Sequence, residues 1–159
     1  MGGRIIFVNL FIAFLFCRAG LNAESKTKVY SALKSGDPAA MDVCLKNLAG
    51  DTTQLSAAYK GTLMMRRANF EKGVAGKLEL FKKGKVILED VIRQDSLNAE
   101  YRFLRLMIQE NCPGFLKYHS NISDDATRVK QFYKNFSPDL KSVISDYAKT
   151  SAALKGIGE

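Results

Sequence analysis

The 159-residue chain contains few of the residue types that usually form catalytic and metal sites. It contains one histidine, three cysteines and no tryptophan. A structural zinc site needs about four ligands, so no Cys/His metal site is expected. Prolines number only three, and a content of 47% hydrophobic and 25% charged residues is that of an ordinary globular protein. The composition excludes a disordered, collagen-like or low-complexity chain and fits one domain.

Motifs of the common enzyme classes are also missing from the sequence. No glycine-rich phosphate loop and no serine nucleophile elbow is present. Glu89 and Asp90 form an acidic pair, but adjacent residues point away from each other on a helix, so paired-carboxylate hydrolysis is not supported. We therefore expect no enzymatic activity and no cofactor.

Residues 1–23 have the pattern of a secretory signal peptide. Arg4 makes a basic start, Ile5–Phe16 is an apolar run, and small residues follow at Ala19 and Ala23. The apolar run is shorter than the roughly 20 residues that cross a bilayer as a helix. We expect cleavage after Ala23, with Ala19 as the alternative, and a periplasmic or secreted mature chain without a membrane span.

Residues 24–159 are expected to form a single all-α domain. Apolar residues recur at helical spacing, and Asp37-Pro38, Asn98 and Ser137-Pro138 are typical helix starts. The pattern predicts six to eight short antiparallel helices. The segments with the clearest periodicity are Lys26–Lys34, Asp37 to Gly50, Asp51 to about Asn69, Lys77–Asp95, Ala99–Asn111, a helix from Ser123, and a last helix from Ser137 to Gly156.

The segment Ala99–Asn111 is expected to lie at the centre of the core. Nearly all of its faces are apolar, and only Arg102, Arg105 and Gln109 form a polar line. Such a helix should touch water along this narrow strip alone. In the preceding helical segment, Gly61 should cost about 1 kcal/mol relative to alanine.

One part of the sequence resembles a tetratricopeptide repeat. Gly84, Leu88, Val91 and Ser96 follow one another at steps of four, three and five residues, as do the small and large positions of the second helix of such a repeat. The residues that would form the first helix do not fit, and no second copy is found. The resemblance implies a stack of helical hairpins, and an irregular helical bundle is the alternative.

A second resemblance covers a longer stretch. The sequence EYRFLRLMIQENCPGFLKY from Glu100 to Tyr118, together with the leader, resembles small secreted proteins of Bacteroidetes-type bacteria. This resemblance implies an envelope or periplasmic setting and no particular activity.

Four arginines are the candidate ligand-binding residues. Arg66 and Arg67 lie in one helical segment, and Arg102 and Arg105 lie in another beside Tyr101. Guanidinium groups bind carboxylate or phosphate in a forked geometry, so the set could form a concave site for an anion or a peptide carboxylate. The alternative is ion pairing within the fold, for which the nearby acids are Glu71, Glu79 and Glu100.

The cysteines of the mature chain, Cys44 and Cys112, could form a disulfide outside the cytoplasm. The alternative is two buried free thiols, because both lie in or beside apolar segments. Cys112 and His119 could also act as nucleophile and base, but nothing in the sequence activates either. A packing thiol and a solvated imidazole are therefore the simpler interpretation.

Lysines are concentrated around residues 72–85. Such a cluster could meet an anionic membrane surface or a polyanion, or it could be a solvated helix face. Nucleic acid is not an expected partner, because the aromatic residues occupy core-like positions instead of alternating with the lysines. The cluster consists of Lys72, Lys77, Lys82, Lys83 and Lys85.

These observations favour a non-enzymatic, secreted or periplasmic helical scaffold that binds a protein or peptide. The alternative is a carrier of a small anionic ligand, or an enzyme, with an arginine-lined site. An open apolar groove between helices would favour the scaffold. A deep pocket lined by Arg66, Tyr101, Arg102 and Arg105 would favour the carrier.

Overall fold

In the computed structural model, described for residues 23–158, the chain forms seven α-helices and no strand. The predicted all-α fold of six to eight helices is confirmed. Residues 1–22 of the expected signal peptide lie outside the described part. The helices are α1 Ala23–Ser35, α2 Pro38–Leu48, α3 Gln54–Arg67, α4 Gly73–Gln94, α5 Ala99–Gln109, α6 Ile122–Phe132 and α7 Pro138–Ala148, and single 3₁₀ turns cover Ala68–Phe70, Gly114–Leu116 and Tyr133–Asn135.

Side-chain caps start four of these helices. Asp37, Thr53, Asn98 and Ser137 each accept a hydrogen bond from a backbone N–H group in the first turn of the helix that follows. Such a cap satisfies a donor that has no partner inside the helix. The starts expected at Asp37, Asn98 and Ser137 are therefore found where the sequence predicts them.

The largest differences from the expected helix boundaries are the start of α4 and the end of α7. α4 begins at Gly73, four residues before Lys77, and its first turns pack against the 3₁₀ turn at Ala68–Phe70. α7 ends at Ala148 and does not reach Gly156. The chain turns there because the Ser151 hydroxyl donates to the carboxylate of Glu110 at 2.7 Å, which draws the last segment back onto the core.

The helices pair as successive hairpins. α1 packs on α2, α3 on α4 and α5 on α6, and the first helices of neighbouring hairpins also contact each other, α1 with α3 and α3 with α5. α5 is central, since Phe103, Leu104 and Leu106 are fully buried. Its polar strip differs from expectation: Arg105 and Gln109 are buried as well, because α6 covers them.

The closest helix contact joins α3 and α4 through two glycines. A Cβ atom on Gly84 would lie 2.5 Å from the carbonyl oxygen of Gly61, and one on Gly61 would lie 2.7 Å from the carbonyl oxygen of Gly84. Real side chains do not approach backbone this closely, so both positions require glycine. Gly61 lowers the helix propensity of α3, but only glycine at this position allows α3 and α4 to cross so closely.

We expect Gly84→Ala to lower the free energy of unfolding by about 1–3 kcal/mol, because the added methyl overpacks the helix contact. Gly76, in the same helix, is the matched control. A Cβ there meets only the side chain of Glu71, at 3.8 Å. Gly76→Ala should thus raise the free energy of unfolding by roughly 0.5–1 kcal/mol through helix propensity. Urea denaturation followed by circular dichroism measures both changes, and equal effects of the two variants would contradict the close crossing.

Candidate functional site

A cavity of about 850 Å³ lies between α7 and the first helices of the three hairpins. This volume is in the range of ligand-binding pockets. We call it the α7 cavity. Its walls include Leu33 from α1, Met65 and Arg66 from α3, Met107 from α5 and Val143 from α7. The cavity thus lies against α1, α3 and α5, the helices through which neighbouring hairpins contact one another.

α7 closes one side of the cavity because a few long side chains hold it. The ring of Tyr147 meets that of Phe103 edge-on, with centroids 5.6 Å apart, and its hydroxyl donates to Glu110 at 2.8 Å. Leu140 and Ile144 are buried on the same helix. These contacts fix α7 over the hairpins and leave space beside them.

Arg66 is the charged residue of the α7 cavity for which residues 23–158 provide no ion-pair or hydrogen-bond partner. Its side chain is partly buried, and within residues 23–158 it makes no ion pair and no hydrogen bond. Its Nη2 atom lies at the end of α1, 3.5 Å from where a Cβ of Gly36 would be. A partly desolvated guanidinium without an acid partner attracts a carboxylate or phosphate more strongly than one in water.

The remaining charges of the cavity are paired. Lys34 and Lys149 donate to the carboxylate of Asp146 at 2.5 and 3.2 Å. These hydrogen bonds, first that of Lys34, hold the pKa of Asp146 below its ordinary value. Two lysines thus share one carboxylate, and with Arg66 the lining is net positive. A negatively charged group is the ligand that this lining favours.

The other predicted arginines lie elsewhere. Arg105 is 4% exposed and binds Asp125 through two hydrogen bonds, Nε to Oδ2 at 2.7 Å and Nη2 to Oδ1 at 2.8 Å. Its Nη1 atom donates to Glu89 at 2.9 Å, and the hydroxyl of Tyr118 donates to the same carboxylate at 2.6 Å. We call these four residues the buried ion network: Arg105, Asp125, Glu89 and Tyr118. It joins α4, α5 and α6, and the 4% exposure of Arg105 keeps its guanidinium inside the fold.

The fold also provides hydrogen-bond partners for Arg102 and Arg67 and buries Tyr101. Arg102 donates to Asp125 at 3.0 Å and to the backbone carbonyl of Ser96. Tyr101 is buried in the core, and burial raises its pKa. The five predicted residues therefore do not form one site, and Arg66 is the member that lines the cavity.

Arg67 points to the other side of α3. Its Nε atom donates to Asp42 at 3.0 Å and its Nη1 atom to Glu71 at 2.9 Å. Of the acids that the sequence suggested as arginine partners, Glu71 thus has this role. Glu79 instead pairs with Lys83 at 2.6 Å, and Glu100 pairs with Lys26 at 3.2 Å.

Partly buried carboxylates bind the tyrosine hydroxyls. Glu100 accepts hydrogen bonds from Tyr30, at 3.1 Å, and from Tyr59. Glu110 accepts from Tyr147 and from the backbone N–H of Ala153. Burial, followed by the nearby carboxylates, raises the pKa values of these tyrosines. These hydrogen bonds join Tyr30 of α1, Tyr59 of α3 and Tyr147 of α7 to carboxylates at the two ends of α5.

Cys112 and His119 are close together, although the sequence gave little reason to pair them. The Cys112 Sγ atom lies 3.5 Å from His119 Nε2, and the same nitrogen lies 3.0 Å from the backbone carbonyl oxygen of Cys112. A carbonyl oxygen only accepts, so Nε2 carries its proton and cannot take one from the thiol. Burial also raises the pKa of the Cys112 thiol. The pair is thus not arranged as a nucleophile and its base.

The described part of the chain contains neither a disulfide nor a candidate metal site. Cys44 and Cys112 are free thiols in the structure. Residues 23–158 contain no group of three or more His, Cys, Asp or Glu side chains placed to hold a metal ion. Nor does this part contain a helix long and apolar enough to cross a membrane.

The residue that sequence reasoning missed is Asp125. It lies in the first turn of α6 and is fully buried against Arg105. A signal was present, because Asp125 lies one turn before the core residue Val129 and therefore on the same helix face. An acid on an apolar face predicts a buried cation opposite to it.

We expect Arg105→Gln to lower the free energy of unfolding by about 3–5 kcal/mol, since it leaves Asp125 buried without its main partner. Arg66→Gln should change it by less than about 0.5 kcal/mol, because Arg66 makes no ion pair and no hydrogen bond within residues 23–158. Urea denaturation of both variants tests this. A strong loss of stability in Arg66→Gln would show that Arg66 has a structural partner.

We expect stability to fall as the pH rises above about 10. The pKa values of Tyr30, Tyr59, Tyr118 and Tyr147 are raised in the fold, mainly by burial. Unfolded tyrosines lose their protons near pH 10. Stability is complete below this pH and then decreases by about 1.4 kcal/mol per pH unit for each tyrosine. Urea denaturation from pH 8 to pH 11 gives the slope, and Tyr118→Phe should reduce it. A stability independent of pH in this range would contradict the buried hydroxyls.

Comparison with known proteins gives no match for this chain among family models, curated proteins or solved structures.

Proposed function

We propose that this protein is a non-enzymatic binding protein whose α7 cavity holds a peptide segment ending in a carboxylate. Arg66 carries the proposal: it is a partly buried guanidinium inside a cavity, with no partner in residues 23–158. A guanidinium binds a carboxylate through two parallel hydrogen bonds, so a peptide end is the chemistry that this group recognises best.

The rest of the lining suits a peptide. Apolar side chains such as Leu33, Met65 and Val143 alternate with the polar groups of Asn69 and Asn111. A peptide presents both kinds of surface, because apolar side chains alternate with backbone donors and acceptors. This mixed lining supports a peptide more than a uniformly apolar or a uniformly charged ligand.

The arrangement of the helices also supports a binding role. We propose a tetratricopeptide-like stack of three hairpins, in which α1, α3 and α5 form the binding face and α7 covers part of it. The contacts of α1 with α3 and of α3 with α5 support this order. Stacked helical hairpins present continuous surfaces to their ligands. The leader expected at residues 1–23 would place this activity in the periplasm or outside the cell.

A small amphipathic anion is the second candidate ligand. The observation that favours it is α7 itself, which covers the cavity and could enclose a compact ligand. A fatty acid, with one carboxylate and an apolar chain, would use Arg66 and the apolar lining in the same way. A peptide, unlike a fatty acid, needs an opening of the cavity through which the rest of the peptide chain leaves.

We expect a nine-residue peptide library with free C-termini to yield binders, and the amidated forms of those binders to bind at least tenfold more weakly. A hydrogen bond to a charged group is worth about 1.5–3 kcal/mol, which corresponds to roughly tenfold or more in affinity. Isothermal titration calorimetry measures both forms. Equal affinity of acid and amide would contradict the carboxylate site.

Arg66→Gln should remove this preference, and Arg93→Gln is the matched control, because Arg93 is an exposed arginine on α4 away from the cavity lining. A dansylated fatty acid tested against the same variants separates the two ligands. Binding of the fatty acid together with failure of every peptide would favour the carrier. Unchanged binding in Arg66→Gln would overturn both.

A further inference from the structure

Two loops lie together at one end of the molecule. One runs from the 3₁₀ turn after α3 into the start of α4 (residues 69–77), and the other follows α5 (residues 113–117). Asn69 of the first and Pro113 of the second line the same cavity. Just beyond the loops, the rings of Phe81 and Tyr118 meet at 5.9 Å. We call residues 69–77 and 113–117 the loop end.

The loop end exposes large apolar side chains that the core does not use. Phe70, Val74 and Phe115 are 46%, 79% and 77% exposed. Single exposed apolar residues are ordinary, but several at one end of a molecule indicate a contact surface. These three belong to loops and to the first turn of a helix, so they project outward and do not line a groove.

Free positive charges surround these apolar residues. Lys72, Lys77 and Lys117 are exposed, and none makes an ion pair within residues 23–158. The acid of the loop end, Glu71, is held by Arg67 at 2.9 Å. The loop end therefore combines protruding apolar side chains with uncompensated positive charge.

We infer that the loop end docks on an anionic lipid bilayer. Phe70, Val74 and Phe115 enter the boundary between headgroups and acyl chains, and the lysines bind the lipid phosphates. Charge complementarity selects this occupant, because a bilayer surface offers a broad negative layer above an apolar one. This inference is independent of the ligand proposed for the α7 cavity.

The absence of tryptophan from the chain makes a site-specific test possible. Phe115→Trp, made in the full chain, places one tryptophan in the loop end. Leu97→Trp is the matched control, because Leu97 is 64% exposed just after the last residue of α4, at the opposite end of that helix from Val74. With vesicles of phosphatidylcholine and phosphatidylglycerol, we expect a blue shift and quenching by brominated lipid for Phe115→Trp but not for Leu97→Trp. Attachment through residues 1–23 alone would give no such difference.

Charge dependence is tested in the Phe115→Trp background. Lys72→Gln should weaken binding about fivefold, and Lys77→Gln should do the same. Lys46→Gln, at an exposed lysine of α2 that makes no ion pair within the described chain, should leave binding unchanged. Pure phosphatidylcholine vesicles or 0.5 M salt should abolish most of the shift. No shift with anionic vesicles, or equal shifts with neutral ones, would overturn the inference.

Discussion

The buried ion pair between Arg105 and Asp125 is the interaction on which the rest of the structure depends. Both side chains are excluded from water, and a buried charge is tolerated only when opposite charge and hydrogen bonds surround it. Arg105 therefore fixes α6 through Asp125 and α4 through Glu89. With α3 held against α4 by the glycine contact, these constraints position the α3–α4 and α5–α6 hairpins against each other.

The same rule of satisfied polar groups separates the predicted arginines that serve the fold from Arg66, which is available for binding. Glu100 and Glu110 accept hydrogen bonds from tyrosines, and Arg67 and Arg102 have acids or carbonyls as partners. Glu100 and Arg102 cannot turn toward a ligand without taking a hydrogen-bond partner from a buried group, Tyr59 or Asp125. Arg66 can do so at no cost to the fold. The α7 cavity and the loop end are thus two regions of the described chain whose side chains are available for a partner.

Local chemistry made much of the fold predictable. Helical spacing and the caps at Asp37, Asn98 and Ser137 are properties of neighbouring residues, and the structure confirms them. What depends on residues far apart in sequence was not predictable in the same way. The end of α7 is set by Glu110, some 40 residues earlier, and the burial of the α5 polar strip requires Asp125. For the candidate site, the arginines were identified by type, but only packing shows that Arg66 alone of them faces the cavity.

The central claim is that Arg66 is free for a ligand while the other predicted arginines are bound within the fold. Nuclear magnetic resonance of the arginine Nε–H groups tests it most directly, with hexanoate as a simple carboxylate. The account predicts a slowly exchanging Arg105 Nε–H, which donates to Asp125 at 2.7 Å, and a rapidly exchanging Arg66 Nε–H that shifts saturably with hexanoate. Equal protection of both groups in the free protein, or an Arg66 signal that hexanoate leaves unchanged, would contradict it.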